Sequence, residues 1–416
     1  MERSVISVDK VKIHGDRVEY FLDIQGDVKR YFNLKVNMFV EYGENIEDVP
    51  EGIAIIPLLT NLLPIAWFSD SEIIVNEIDK SFYECIEEIK HGYVDRHKLN
   101  NLKGKFSAHK IIDYNYEYEQ KSATFFSGGV DSFATLITRL NEKPMLVTLW
   151  GTDITLDDEE GWERVKELVV DSGEKLGLKN LLIKSNFRIF INESELDRAF
   201  YKYMNEGWWR GAQHGIGLIG HIAPFAYIYK IKQVYMPASL STVYSEISCA
   251  SHPNIDNKVR MGSCSVVHEG FDNNRQDKIK IIGDHLKNHE YQFTIRVCWE
   301  SKGGKNCSVC EKCSRTIMGL IAEGIDPNKY GFNVTDNTIL NIKENWQYVW
   351  NITEATGSSW TALQNKYKED EELWKNNNIF NWILKINFTK ITPKNRSIIH
   401  KIKRKIYFKV VKGRRK

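Results

Sequence analysis

Runs of β-forming residues open the chain at Val5–Ile13, Val18–Ile24 and Val28–Leu34. His14-Gly15-Asp16 and Gln25-Gly26-Asp27 supply turn chemistry between them, so the pattern predicts a small antiparallel sheet. Residues 73–89 then carry a helical pattern, and a polar connector over 100–117 follows. Beyond it, short apolar runs alternate with amphipathic ones. Strands are predicted at 123–126, 145–150, 181–185 and 233–236, and helices near 131–140, 161–177 and 214–231. Trp162, Val165, Leu168, Val169 and Leu176 give the second helix an apolar stripe. This alternation predicts an α/β fold with a doubly wound parallel sheet. Gly52–Ser69 carries no charge over eighteen residues, but Pro57, Thr60, Asn61 and Pro64 interrupt it and both flanks are acidic. It reads as a buried helix–loop segment rather than a membrane span.

The first candidate for chemistry is Ser127-Gly128-Gly129-Val130-Asp131-Ser132, set between the strand at 123–126 and the helix at 131–140. Glycines without a Cβ let backbone N–H groups close round a phosphate, and a helix N-terminus adds positive dipole. Asp131 and Ser132 also stand where helix caps are expected, so a capped helix after a glycine turn is the plain alternative. The motif lacks the lysine of G-x-x-x-x-G-K-[ST], which excludes a Walker-type loop.

The second candidate is Cys298, Cys307, Cys310 and Cys313, spaced C-x8-C-x2-C-x2-C. Four thiolates that meet in a knuckle form a closed tetrahedral zinc site, structural because no coordination position stays open. Gly303 and Gly304 let the connecting loop double back. Disulfides fit poorly, since a chain of 416 residues builds a core without staples and no signal peptide is evident. An iron–sulfur cluster is the stronger rival, but Ser314-Arg315-Thr316 replaces the next cysteine and proline of the usual four-iron run. Cys85, Cys249 and Cys264 are scattered and read as ordinary buried thiols.

The first motif resembles S-G-G-x-D-S, the signature of the N-type ATP pyrophosphatases, or PP-loop enzymes. Followed 166 residues later by the cysteine motif, it is similar to the 7-cyano-7-deazaguanine synthase (QueC) family. The run Cys307-Ser308-Val309-Cys310-Glu311-Lys312-Cys313-Ser314-Arg315-Thr316 looks like that family's zinc knuckle entering a last helix. The likeness covers residues 118–330. It implies a PP-loop core with zinc at the four cysteines, ATP gripped by Ser127–Ser132, and cleavage between the α- and β-phosphates with Mg2+. It implies Asp131 and Ser132 as catalytic residues. Gly151, the glycine kept after the second strand, and Arg210, which precedes the apolar run 216–229, are further nucleotide candidates, with Arg210 reading equally as a surface residue at a helix start. The implied reaction is ligation: ATP adenylates a carboxylate or carbonyl oxygen, and nitrogen from ammonia or an amine then displaces AMP. Two family features differ. The polar run after the second strand reads Trp150-Gly151-Thr152-Asp153, and the later helix start reads Trp208-Trp209-Arg210-Gly211-Ala212-Gln213-His214.

A stretch rich in reactive side chains follows the strand at 233–236. His252, Arg260, His268, Arg275 and Lys278 are its candidates for gripping substrate or phosphate, against the plainer reading of a solvated polar loop. Ser239, Tyr244, Ser245, Glu246, Ser251, Asp256, Lys258 and Asp272 share the stretch. The resulting organisation is a β-rich and helical extension over 1–117, the PP-loop-like core over 118–330 and a helical extension over 331–416 with a basic tail.

Net charge is +2, yet fourteen lysines and arginines and no acid follow Glu372, so residues up to that point carry −12. Such a tail suits RNA, lipid headgroups or an acidic protein, or else is a solvated end. With no transmembrane pattern, a cytoplasmic location is expected, and a homodimer stays open. The alternatives to the deazaguanine-type ligase are a PP-loop enzyme that modifies tRNA, sugar or protein, and a nucleotide-binding module without turnover. The two extensions favour an acceptor larger than a free nucleobase.

Overall fold

The computed structural model describes residues 3–242, 248–289, 292–298, 300–350 and 352–388. The chain forms two compact units. The first comprises residues 1–127, 138–240 and 245–271, and the second residues 128–137, 241–244 and 272–416.

The first unit holds one eleven-stranded sheet. Its strands are β1 (Val5–His14), β2 (Arg17–Gln25), β3 (Met38–Glu41), β4 (Glu72–Asp79), β5 (Lys105–Ile112) and β6 (Lys121–Phe125). They continue with β7 (Met145–Trp150), β8 (Asn180–Ser185), β9 (Ile231–Pro237), β10 (Arg260–Met261) and β11 (Cys264–Glu269). The spatial order is β10-β11-β9-β6-β7-β8-β3-β2-β1-β4-β5. From β11 to β8 every pairing is parallel. That stretch reverses direction between β6 and β9, which is the order of doubly wound sheets and creates a topological switch point there.

The α/β class and the four central strands match the sequence pattern. Several outer elements do not. Val28–Leu34 is not a strand: Asp27–Tyr31 forms a 3₁₀ turn, and the third strand comes later as β3. The 73–89 run divides into β4 and a helix, Lys80–His97, because Asp79 stops the strand and caps the helix by accepting from Phe82 N–H. The polar connector contains β5, whose residues are mostly exposed and so leave no apolar signature. The expected helix at 214–231 is broken into a π-turn at Trp209–Gln213 and short helical pieces at Ile216–Ile219, Gly220–Ile222 and Ala223–Ile228. Glycines at 215, 217 and 220 and Pro224 oppose one continuous helix there.

The strands within 1–117 do not form a sheet of their own. The β1–β2–β3 meander joins the parallel strands through β3, whose Val40 and Glu41 pair antiparallel with Ser185 and Lys184 of β8. The uncharged segment supplies a buried helix, Ile56–Ser69. Its polar residues are satisfied inside the unit: Asn61 Nδ2 donates to Pro57 O and Gly217 O, and Gln213 Nε2 donates to Asn61 Oδ1. No described helix is long and apolar enough to cross a membrane.

The second unit is helical. It gathers most of the helix Val130–Thr138 with Arg275–Lys287, Glu311–Ala322, Asp336–Tyr348 and Glu354–Glu369. Trp346, Trp360, Trp382 and Phe388 form an aromatic cluster with neighbouring ring centroids 4.8–6.5 Å apart. Trp360 Nε1 donates to Glu311 Oε1 at 2.8 Å, which ties the cluster to the helix that follows the cysteines. The basic tail from 389 onward lies outside the described residues.

Candidate functional site

The chain leaves β6 with its backbone still in the sheet, since Phe126 N–H donates to Val147 O at 2.8 Å. Gly128 then turns at φ 71°, and the helix Val130–Thr138 begins. In the second unit Gly129 N–H donates to Ser132 Oγ at 3.1 Å, and Ser132 Oγ–H donates to Gly129 O at 3.0 Å. Arg296 N–H donates to Gly128 O at 2.7 Å and anchors the turn. Ser132 therefore performs the capping role open to it, and Val130 is buried.

Asp131 has a different engagement. Its Oδ2 lies 3.1 Å from Arg275 Nη2 and its Oδ1 3.1 Å from Lys278 Nζ. Both cations come from one helix, Arg275–Lys287, whose start is fixed by a capping box between Asn274 and Asp277. A three-residue spacing puts Arg275 and Lys278 on one face of that helix. Burial drives the Asp131 carboxyl up, but the charges of Arg275, Lys278 and Lys312 outweigh it and hold the group below the usual carboxylate range. Burial lowers Lys278 from the ordinary lysine value against the pull of Asp131. Two paired cations and the charge of Lys312 thus act on one carboxylate in the first turn of this helix.

The four cysteine sulfurs lie within 4.8 Å of one another. Cys298 Sγ and Cys310 Sγ are 3.9 Å apart, as are Cys307 Sγ and Cys313 Sγ. Zinc–sulfur bonds of about 2.3 Å in a tetrahedron require sulfur–sulfur edges of roughly 3.8 Å. The cluster could hold a metal ion, and its spacing is consistent with zinc. Four sulfurs converging this closely leave room for a single ion. Backbone amides support them: Cys310 N–H points to Cys307 Sγ at 3.2 Å and Cys313 N–H to Cys310 Sγ at 3.5 Å. Asn306 braces the loop, accepting from Val297 and Cys298 N–H and donating to Ile295 O and Gly331 O. Lys312 stands between Cys310 and Cys313 in sequence, so the knuckle that shapes the metal site also presents a cation to Asp131. Neither Asn306 nor Lys312 carries a sequence signal that separates it from other loop residues.

The remaining candidates belong to the first unit. His268 and His252 are buried, each packed edge to face with Phe271. His268 Nδ1 meets Asp256 Oδ2 at 2.7 Å, whereas His252 Nδ1 accepts from Asn254 N–H and burial pushes it down to about 4. Arg260 forms a two-pronged ion pair with Glu88, and Arg210 pairs with Glu206 one helical turn back. Gly151 has a packing reason to be glycine: at φ 104°, a Cβ would stand 1.9 Å from Ser185 O. Of the predicted substrate and phosphate contacts, Arg275 and Lys278 converge on the S-G-G-x-D-S helix; Arg260 and Arg210 are engaged with acids elsewhere. Tyr244, Ser245 and Glu246 lie outside the described residues.

No protein-family model, curated protein or solved structure matches this chain.

Proposed function

We propose that the chain is an ATP-dependent ligase of the PP-loop kind, which adenylates a carboxylate or carbonyl oxygen and then joins nitrogen to the activated carbon. One observation carries the reading: within the second unit the helix that starts in the S-G-G-x-D-S turn carries Asp131, whose carboxylate is held by Arg275 and the buried Lys278. The first turn of a helix receives phosphate. The acceptor oxygen attacks the α-phosphorus, the bond to the β-phosphate oxygen breaks, and pyrophosphate departs. Arg275, Lys278 and Lys312 offset the charge that accumulates on that leaving group. Nitrogen then attacks the activated carbon, and AMP leaves with the transferred oxygen. Mg2+ would add further neutralisation of phosphate charge, and Asp131 would be its carboxylate only by exchanging one of its contacts to Arg275 and Lys278 for the ion. The four cysteines would hold zinc in a structural role, shaping the knuckle that carries Lys312.

The test is incubation with ATP and magnesium, with nucleotides separated by chromatography. AMP and pyrophosphate are expected, and Asp131→Ala should abolish both while ATP stays intact. Formation of ADP and inorganic phosphate would refute the assignment.

A further inference from the structure

Cys249 is buried in the first unit, with its Sγ 3.5 Å from His214 Nδ1. The backbone around the two is unusual and firmly tied. His214 ends the π-turn at Trp209–Gln213 and closes it by donating its N–H to Trp209 O at 2.7 Å. π-turns are rare and concentrate at functional sites. The next residue, Gly215, adopts φ 92°, and a Cβ there would stand 2.6 Å from Asp256 Oδ1 and 2.8 Å from Ser251 Cα. Ala250 N–H donates to Arg210 O at 2.9 Å, and Arg96 Nε donates to Cys249 O at 3.1 Å. Tyr93 donates its hydroxyl to Ala212 O. The sulfur and the imidazole are thus fixed from both sides of their contact.

A second observation is independent of the cysteine. Asp256 is fully buried, and its Oδ1 has no hydrogen-bond partner. Its Oδ2 is occupied by Ser251 Oγ–H at 3.0 Å and His268 Nδ1 at 2.7 Å. The unpartnered oxygen lies against Gly215, the residue that follows His214.

Charged and titratable groups face the pair from every side. Tyr93 and Arg96 come from the helix Lys80–His97, and Asp153 comes from the loop after β7. Arg210 comes from the π-turn and Asp256 from the short helix Pro253–Asp256. Burial alone would raise the thiol and lower the imidazole. Their mutual contact reverses both directions, helped by Arg210 at the sulfur and by Asp153 and Asp256 at the ring. The thiol lies below its ordinary value and the imidazole above its own.

We propose that Cys249 and His214 form a thiolate–imidazolium pair, and that Cys249 is the nucleophile of a second reactive site that takes an activated acyl carbon. In that step Sγ gives an electron pair to the carbonyl carbon, and the bond from that carbon to its leaving group breaks. The His214 Nδ1 proton passes to the departing group, leaving a thioester and a neutral imidazole. The inference stands without the nucleotide reading, because none of its residues belongs to the S-G-G-x-D-S turn or to the metal site.

The experiment uses the full chain and two probes. The first is ultraviolet thiolate absorbance against pH, taken as the difference between wild type and Cys249→Ser. The Cys249 thiolate should persist well below the ordinary thiol value of about 8.5. Asp153→Asn, an exposed change, should move the midpoint upward slightly, and His214→Gln should move it up by about one unit or more, a tenfold loss of thiolate at a given pH. The second probe is p-nitrophenyl acetate at about pH 6, where an ordinary thiol is almost wholly protonated. Peptide mass spectrometry should find acetyl on Cys249 and little on Cys85 or Cys264, whose thiols burial pushes up. A midpoint at or above the ordinary value overturns the ion pair. A low midpoint with no acetylated Cys249 overturns the nucleophile.

Discussion

The two units of this chain hold themselves together by different means. The first buries a continuous apolar core that runs from Ile6 to Val266 beneath the eleven strands and includes the buried helix Ile56–Ser69. The second relies on a cysteine cluster and a knot of tryptophans. A large sheet is stabilised by area and tolerates the loss of one contact. A helical unit pinned at a metal site concentrates its stability in a few atoms. The positive cluster around Asp131 is built in the second kind of unit, so its geometry depends on the cysteines although none of them touches Asp131.

Removing a metal that the four cysteines could hold is the strongest way to break this contrast. Structural zinc in small domains contributes on the order of 10 kcal/mol or more of folding free energy at neutral pH. A chelator, or Cys310→Ser, should therefore unfold the second unit and leave the sheet standing. Tryptophan emission from Trp346, Trp360 and Trp382 should shift to the red while the far-ultraviolet strand signal persists. Simultaneous loss of both signals would show that the units do not differ in this way.

Trp360→Ala comes next. Trp360 is fully buried against four aromatic rings and bonds Glu311. Truncation should cost about 3–5 kcal/mol, read as a lower denaturant midpoint for the second unit alone.

Acid should act on the first unit through His221, which is buried and pushed down to about 4. An unfolded histidine titrates near 6.5. Between these values the unfolded state binds the extra proton, so stability is complete above about 6.5 and declines as pH falls toward 4. The difference corresponds to about 3 kcal/mol at most. His221→Phe should flatten this part of the stability profile measured by denaturant titration, and an unchanged slope would remove His221 from the explanation.

The smallest effect is expected at Arg260. Its pair with Glu88 is substantially exposed, with side chains 37% and 46% accessible. Arg260→Ala should change stability by less than about 1 kcal/mol. Loss of AMP formation in this variant would return Arg260 to the nucleotide site, against its present engagement.

The sequence made the central strands legible because β6, β7, β8 and β9 are short apolar runs with turn residues on either side. It hid β5, which is exposed along most of its length, and β4, whose pattern runs without a break into the following helix. It suggested a separate antiparallel sheet because local turns between β1 and β2 are visible, whereas the pairing of Val40 and Glu41 with β8 links residues more than a hundred positions apart. That union weakens the argument that 1–117 is spare surface for a large acceptor, since its strands complete the sheet. The cysteine cluster was legible from spacing. The grip of Arg275 and Lys278 on Asp131 was visible only as a local excess of basic residues. The Cys249–His214 contact was not visible at all, because nothing in either segment names the other.

The second unit takes residues 128–137 from the middle of the first and completes itself only with residues after 271. During synthesis the turn and helix that carry Asp131 emerge long before Arg275, Lys278 and the four cysteines. The sheet strands β7, β8, β9, β10 and β11 are all made in that interval. A nascent chain that stops at residue 271 could assemble its whole sheet and still hold Asp131 with neither cationic partner. The order of manufacture thus keeps the charged centre incomplete until the cysteine-bearing part of the chain arrives, and no single proteolytic cut can separate the two units into intact halves.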